Sequence, residues 1–142
     1  MTIDERVELY KKVFKDCKAL PIIQGFTIPE GRIDKLEVIR KLNTDLSDVY
    51  MVSIPVITVW VRDNSYVPET GEIYLTEPEL EPFLHQFRHH LQNIERIYER
   101  RGLTTEGKQD LAKMPYEKCL YMLRGEDDAI AWSKFLIGSM KN

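Results

Sequence analysis

The sequence lacks the features that mark secreted, membrane-spanning or disulfide-stabilised proteins. Only two cysteines occur in 142 residues, which excludes a disulfide-rich scaffold, and Cys17 and Cys119 fit reduced thiols. The longest apolar stretch, residues 50–61, is interrupted by Ser53 and Pro55 and is shorter than the roughly 20 residues that cross a bilayer. Because the charged amino terminus has no hydrophobic core of a signal peptide, we expect a cytoplasmic protein with no membrane partner.

An excess of basic charge is also absent. The formal net charge is −3 at pH 7, and acidic residues are interleaved with basic ones, as between Glu95 and Arg101. Such a run is typical of a solvated helix face, whereas proteins that bind phosphate backbones present a stripe of Lys and Arg. Nucleic acid is therefore not expected to be a partner.

All three histidines lie close together, in the run LHQFRHHL at residues 84–91. On a helix, His85 and His89 would lie about 40° apart around the axis and about 6 Å apart along it, so both imidazoles can reach one metal ion. His90 would point elsewhere. The alternative is a chance pair of solvated or packed histidines that binds nothing.

The sequence around the histidines predicts a long helix. Thr76 and Glu79 have the spacing of a capping box, and Pro78 suits a first turn. Since Pro82 would break a backbone hydrogen bond in a helix interior, the regular helix is predicted to begin near Pro82 and to end near Arg101. Apolar residues recur there at three- and four-residue steps, which predicts a buried stripe flanked by the histidines.

Two motifs resemble those of a known enzyme family. Residues 85–89 resemble the HExxH motif of zinc peptidases, with Gln86 in place of the glutamate. Downstream, Glu126 is followed by Asp128 and Ala129, which is similar to the third-ligand helix of gluzincin metallopeptidases. Over residues 56–139, the order of strand, motif helix and glutamate helix most resembles the minimal single-domain gluzincins, the minigluzincins.

The resemblance implies that His85, His89 and Glu126 bind a zinc ion (Zn2+). Two imidazoles, one carboxylate and an open fourth position make up a catalytic zinc site rather than a structural one. The substrate would be a peptide or protein that pairs with a strand edge beside the motif helix, either residues 58–62 or residues 72–75. The same ligand set also fits non-haem iron.

Gln86 stands where the family has its general base. In the family, the motif glutamate takes a proton from the metal-bound water and passes it to the leaving amine. A neutral amide accepts no proton, and losing a general base typically costs about 10²- to 10⁴-fold in rate. Either the natural protein is a zinc-binding pseudopeptidase, or Gln86 replaces the glutamate of an active metallopeptidase.

Asp128 and Asp127 are the candidate hydrogen-bond partners of the metal-binding histidines. Such histidines usually donate their second N–H to a carboxylate or a carbonyl. In the larger gluzincins an acid often lies one turn after the ligand glutamate, but here that position is Ile130. Acids that stabilise a helix N-terminus are the alternative for both aspartates.

An α+β fold is expected, with a small antiparallel sheet packed against the motif helix and a C-terminal, ligand-bearing helix, in a zincin-like arrangement. Because 142 residues suit one core, we expect a single domain over 1–142, with a helix and loop region at 1–45 and the sheet, motif helix and glutamate helix at 46–142. Strands are predicted over residues 49–54, 56–62 and 72–75, and further helices over residues 3–18, 32–42 and 116–140, with a loop over 19–33.

Three functions stay open at this point. The first is a zinc-dependent metallopeptidase scaffold that hydrolyses peptide bonds, or did so before Gln86 arose. The second is a peptide- or protein-binding module on the same scaffold that cuts nothing. The third is a metal-free α+β interaction protein, which would be indicated by His85 and His89 pointing away from Glu126.

Overall fold

The computed structural model describes residues 1–100 and 125–140, and for residues 96–100 the backbone alone. These ranges contain five helices and three strands: α1 (Ile3–Val13), α2 (Ala19–Gln24), α3 (Arg32–Tyr50), β1 (Ile57–Val59), β2 (Ser65–Val67), β3 (Glu72–Leu75), α4 (Leu80–Arg100) and α5 (Glu126–Gly138). The expected α+β class is confirmed. Cys119 and the part of the predicted last helix before residue 125 lie outside the described residues.

The three strands form a mixed sheet in the order β1-β3-β2. β2 and β3 pair antiparallel, whereas β1 runs parallel to β3 with Ile57 opposite Ile73. The expectation of an antiparallel sheet is therefore wrong for the β1–β3 pair. The reason is β2, which was not predicted: the chain reverses before β2 and again after it, so β1 and β3 point the same way.

α3 extends further than the sequence pattern predicted. A helix ending at residue 42 and a strand over 49–54 were expected, but α3 continues to Tyr50. Leu42, Leu46 and Tyr50 are all fully buried, and their four-residue spacing keeps one helix face on the core through the whole segment. Met51 then ends the helix in the left-handed conformation, with φ 57°.

The region before α3 also differs from the prediction. α1 ends at Val13 rather than near residue 18, and α2 lies within the predicted loop. Ala19 and Ile23 are fully buried and four residues apart, so a short helix places both on the core. Pro21 lies in the first turn of this helix, where its missing N–H leaves no helical hydrogen bond unmade, and Gly25 follows the last helical residue.

α4 is the helix against which the sheet and α5 pack. It begins at Leu80, so Pro82 lies in the first turn, where a missing N–H leaves no helical hydrogen bond unmade. Phe83, Leu84 and Phe87 form its fully buried face, and the Phe87 ring stacks on Trp132 of α5, with centroids 6.4 Å apart. This packing sets α4 and α5 side by side. Among the described residues, no helix combines the length and the apolarity needed to span a bilayer.

Candidate metal centre

His85 and His89 lie one turn apart on the side of α4 that faces the start of α5. Their Nε2 atoms are 3.3 Å apart, and their side chains are 17% and 18% exposed. This position, beside the buried face but open to solvent, follows from the flanking placement that the α4 periodicity predicted. Both imidazoles are therefore reachable by a small ion or ligand.

Glu126 is the first residue of α5 and brings its carboxylate to both histidines. Its Oε2 atom lies 3.0 Å from His85 Nε2, and its Oε1 atom lies 2.6 Å from His89 Nε2. Gly125 precedes it with φ 96°, a conformation that residues with a Cβ rarely adopt, and so sets how the chain enters α5. Among the described residues, these three side chains form a candidate metal-ligand group with their ligand atoms within 4.8 Å of one another.

The ligand group has the donor types of a metal site that zinc could occupy, and the spacing of its two histidine nitrogens is suitable. Zinc binds imidazole nitrogens and carboxylate oxygens at about 2.0–2.2 Å, so tetrahedral ligands lie about 3.3–3.6 Å apart. The two histidine nitrogens have this separation, 3.3 Å. The Glu126 oxygens are closer to the histidines, but this side chain is 69% exposed and has room to move outward. Three ligands leave further coordination positions open, as in catalytic sites.

The protonation of His85 suits a metal ligand. Burial lowers its pKa below the ordinary histidine value, and the nearby Glu126 carboxylate opposes this effect only in part. The neutral imidazole, which is the form that binds a metal, is therefore favoured at neutral pH.

His90 is built into the protein interior, apart from the ligand group. Its Nε2–H donates to the Ser53 carbonyl at 2.7 Å, which leaves Nδ1 to accept a hydrogen bond from the Tyr66 hydroxyl at 2.7 Å. Burial lowers the pKa of this histidine. Its role is to fasten β2 and the segment before β1 to α4.

The two aspartates considered as partners of the histidines lie in different surroundings. Asp127 is exposed in the first turn of α5. Asp128 is fully buried and reaches His89 only through Gln92, whose amide lies between them. Gln92 Oε1 is 2.9 Å from His89 Nδ1, and Gln92 Nε2 donates to Asp128 Oδ2 at 2.8 Å. This role of Gln92 was not predicted from the sequence, although its three-residue spacing from His89 could have indicated it.

Asp128 is the centre of a group that we call the buried anchor, composed of Arg88, Asp128 and Tyr10. Arg88 Nε donates to Asp128 Oδ2 at 2.8 Å, and both side chains are fully buried. The Tyr10 hydroxyl donates to Asp128 Oδ1 at 2.5 Å, and burial together with the Asp128 charge raises the pKa of Tyr10 strongly. The buried anchor thus joins α1, α4 and α5.

A cleft of about 350 Å³ opens beside the ligand group, which is within the range of small-ligand sites. It is lined by Asn64, Ser65, Tyr66, Pro68, His85, Gln86, His89 and Glu126. Gln86 is 8% exposed and lies in the wall next to both histidines.

The strand that borders the cleft is β2. Of the two segments expected to form this edge, residues 72–75 are the central strand β3, and residues 58–62 overlap β1 at the opposite edge of the sheet. Neither segment therefore borders this cleft among the described residues. The short β2 segment SYV offers only three residues of alternating pattern, too few to be recognised from sequence.

No family model, curated protein or solved structure matches this chain. The case for a function therefore rests on the chain's own residues. These provide a candidate metal-ligand group of two histidines and one glutamate, carried by two packed helices at the edge of a cleft.

Proposed function

We propose that this chain is a gluzincin-like scaffold that binds one zinc ion through His85, His89 and Glu126 and binds a peptide or protein segment in the adjoining cleft. The observation that carries the proposal is the convergence of three ligand atoms from two helices within 4.8 Å. Sequence separation makes this convergence informative, since 37 positions separate His89 from Glu126. The order of strand, HxxxH helix and glutamate helix also supports the family resemblance.

Each site residue has a distinct part in this proposal. A bound zinc ion would supply a Lewis acid that polarises a carbonyl and lowers the pKa of a bound water. His85 and His89 would offer neutral imidazole nitrogens, and the Glu126 carboxylate would balance part of the positive charge. Gln86 would hydrogen-bond the reacting groups through its amide but would move no proton, because an amide is not a base at neutral pH.

The position of β2 at an edge of the described sheet, beside the cleft, supports an extended peptide as the occupant of the cleft. Among the described strands, β2 pairs with β3 alone. Ser65 and Tyr66 of this strand line the cleft. An extended segment added along this edge would pass beside the ligand group, as in recognition by strand addition.

Gln86 itself favours a second candidate function, which is peptide binding without hydrolysis. The residue stands in the cleft wall where the family has its general base, and no other carboxylate than Glu126 lines this cleft among the described residues. A zinc site without a base still binds carbonyl and carboxylate oxygens. In this proposal, the side chain at position 86 alone therefore decides whether a bound peptide is hydrolysed or only held.

The experiment is to restore the base with Gln86→Glu and to measure cleavage of a fluorescently labelled unfolded protein with zinc supplied. The variant is expected to cleave about 10²- to 10⁴-fold faster than the parent chain, since this is what a general base contributes. The matched control combines Gln86→Glu with His89→Ala, which keeps the carboxylate and removes a metal ligand. This control is expected to be inactive.

Each outcome separates the candidates. Cleavage that needs both the glutamate and His89 supports the peptidase scaffold. A Gln86→Glu chain that binds zinc and stays inactive contradicts hydrolysis and leaves the binding module. Chains that take up no zinc contradict both and leave a metal-free interaction protein.

A further inference from the structure

We infer that Gln92 is the positioning residue of the candidate metal centre: it holds His89 as the Nδ1–H tautomer and ties this ligand to the helix that carries Glu126. The inference rests on the proposed zinc site and adds a part that the family resemblance did not supply. Its basis is a chain of hydrogen bonds whose donor and acceptor ends can each be assigned.

The orientation of the Gln92 amide is fixed by what surrounds its nitrogen. Nε2 lies 2.8 Å from Asp128 Oδ2 and 3.2 Å from the Gly125 carbonyl. A carboxylate and a carbonyl oxygen only accept hydrogen bonds, so the group that faces them has to be the NH2 end. Both amide hydrogens are used by these two contacts, and the amide cannot be flipped without placing oxygen against two oxygens.

This orientation determines the tautomer of His89. With its NH2 end turned to α5, Gln92 presents Oε1 to His89 Nδ1 at 2.9 Å. An amide oxygen accepts and does not donate, so Nδ1 carries a hydrogen, which leaves Nε2 as the nitrogen that would bind a metal ion in exchange for its contact with Glu126. Nε2 is the atom that meets His85 and Glu126. Gln92 therefore turns the metal-binding nitrogen toward the ligand group.

The buried anchor makes this arrangement rigid. Asp128 accepts two hydrogen bonds from Arg88, at 2.8 and 3.3 Å, and Arg88 is a cation at every relevant pH. The guanidinium is in turn enclosed between aromatic rings, 5.6 Å from the Phe14 centroid and 5.1 Å from the Trp132 centroid. The acceptor that orients Gln92 is thus itself held in place.

Glu126 benefits from the same contacts. Gln92 donates to the carbonyl of Gly125, which is the residue directly before Glu126, and to Asp128 two residues after it. One amide therefore contacts the backbone directly before the third ligand and a buried side chain two residues after it. His85 has no comparable partner for its Nδ1 atom among the described residues, so the positioning acts on His89 and Glu126.

The test replaces the amide with an apolar side chain of the same length, Gln92→Met, in the full chain. Zinc affinity is measured by competition with a chromogenic chelator, and the ring N–H signals of the zinc-loaded protein are followed by ¹⁵N NMR. Removing such a partner of a metal-bound histidine typically weakens binding about 10- to 100-fold. The slowly exchanging Nδ1–H signal of His89 is expected to disappear or to exchange rapidly.

The matched control is Asn43→Leu, which removes another buried amide, on α3 rather than on the two helices of the metal centre. Asn43 and Gln92 are both 4% exposed, and Asn43 donates to the Pro55 carbonyl at 2.9 Å. This variant is expected to lose stability but to keep zinc affinity and the His89 signal. Loss of affinity in both variants would show that general loosening, and not positioning, is responsible.

The inference and the proposed function fail differently. If the parent chain binds zinc and Gln92→Met binds it equally well with an unchanged His89 signal, the positioning role is contradicted while the zinc site stands. If the parent chain binds no zinc, the proposed function is contradicted and the inference falls with it. A 10- to 100-fold loss confined to Gln92→Met supports both.

Discussion

The ligand group His85, His89 and Glu126, called the ligand cluster from here on, and the Arg88–Asp128 pair of the buried anchor both join α4 to α5. The residues of these two junctions are neighbours in sequence. Arg88 precedes His89, and Asp128 follows Glu126 by two positions. Arg88 and Asp128 are fully buried, whereas the Glu126 side chain is 69% exposed. The two junctions therefore differ in whether water and ligands can reach them.

The difference in burial explains why the two junctions occur together. A buried ion pair holds its partners firmly, because removing one leaves an uncompensated charge in the interior. An exposed pair of this kind is weak and can exchange its partner for a metal ion. The buried anchor can thus keep α4 and α5 at the distance that the ligand cluster needs, while the cluster itself stays free to bind.

The largest effect is expected from breaking the buried anchor with Asp128→Asn. Because Arg88 would lose its buried ion pair with Asp128, the free energy of unfolding should fall by about 3–5 kcal/mol in a urea titration. Asp127→Asn is the matched control, since Asp127 is adjacent and exposed, and it should cost less than about 1 kcal/mol. Equal losses in the two variants would contradict the distinction between the junctions.

The ligand cluster should contribute to the free energy of unfolding only when metal is present. Zinc at about 100 times its dissociation constant should raise the free energy of unfolding by about 2.7 kcal/mol, because the proposed site exists only in the folded chain. Glu126→Gln should abolish this gain and, without zinc, should change stability by less than about 0.5 kcal/mol.

Glu81→Gln provides the control for this prediction. Glu81 lines the neighbouring cavity together with His85 and Glu126 but lies outside the ligand group. Its substitution should leave the zinc-dependent gain intact. A gain that survives Glu126→Gln would mean that zinc binds elsewhere on the chain.

Alkaline pH should weaken the buried anchor through Tyr10. Burial and the Asp128 charge raise the pKa of Tyr10 above its ordinary value, so the unfolded chain loses this proton first as the pH rises past about 10. The contribution of the hydroxyl is therefore complete below pH 10 and should decline by about 1.4 kcal/mol per pH unit above it. The measurement compares parent and Tyr10→Phe chains by urea unfolding between pH 8 and about 11, and a difference that is independent of pH would contradict it.

The smallest effect on stability is expected from breaking an exposed ion pair that belongs to neither junction. Lys35 Nζ lies 3.0 Å from Glu79 Oε1, and the Glu79 side chain is 51% exposed. Solvent screens such pairs, so Lys35→Met should change the free energy of unfolding by about 0–1 kcal/mol. A loss as large as that of Asp128→Asn would show that burial does not decide the strength of ion pairs in this fold.

The two junctions also differ in how far sequence reasoning could reach them. His85 and His89 could be paired because helix geometry alone brings residues four apart together, and Glu126 followed from a motif. The buried anchor had no such signal: Tyr10 and Asp128 are 118 positions apart, and only tertiary packing joins them. In the sequence alone, Arg88 resembles any other charged residue of a charged helix, and its burial between aromatic rings could not be predicted.

The same limit applies to the sheet and to α3. β3 matched its predicted range because turn signals bound it, whereas β2 is three residues long and carries no periodicity of its own. The end of α3 was misassigned because Val49 and Tyr50 suit a strand by composition, and burial against the core overrode that preference. Local sequence patterns therefore identified the residues of the ligand cluster. The long-range contacts that hold these residues in place could not be predicted from such patterns.

The most direct test of the proposed zinc site is anomalous diffraction at the zinc absorption edge from crystals of the parent chain grown with zinc. One strong peak is expected about 2.0–2.2 Å from His85 Nε2, His89 Nε2 and a Glu126 oxygen. Zinc bound elsewhere, with no peak within bonding distance of these three atoms, would contradict it.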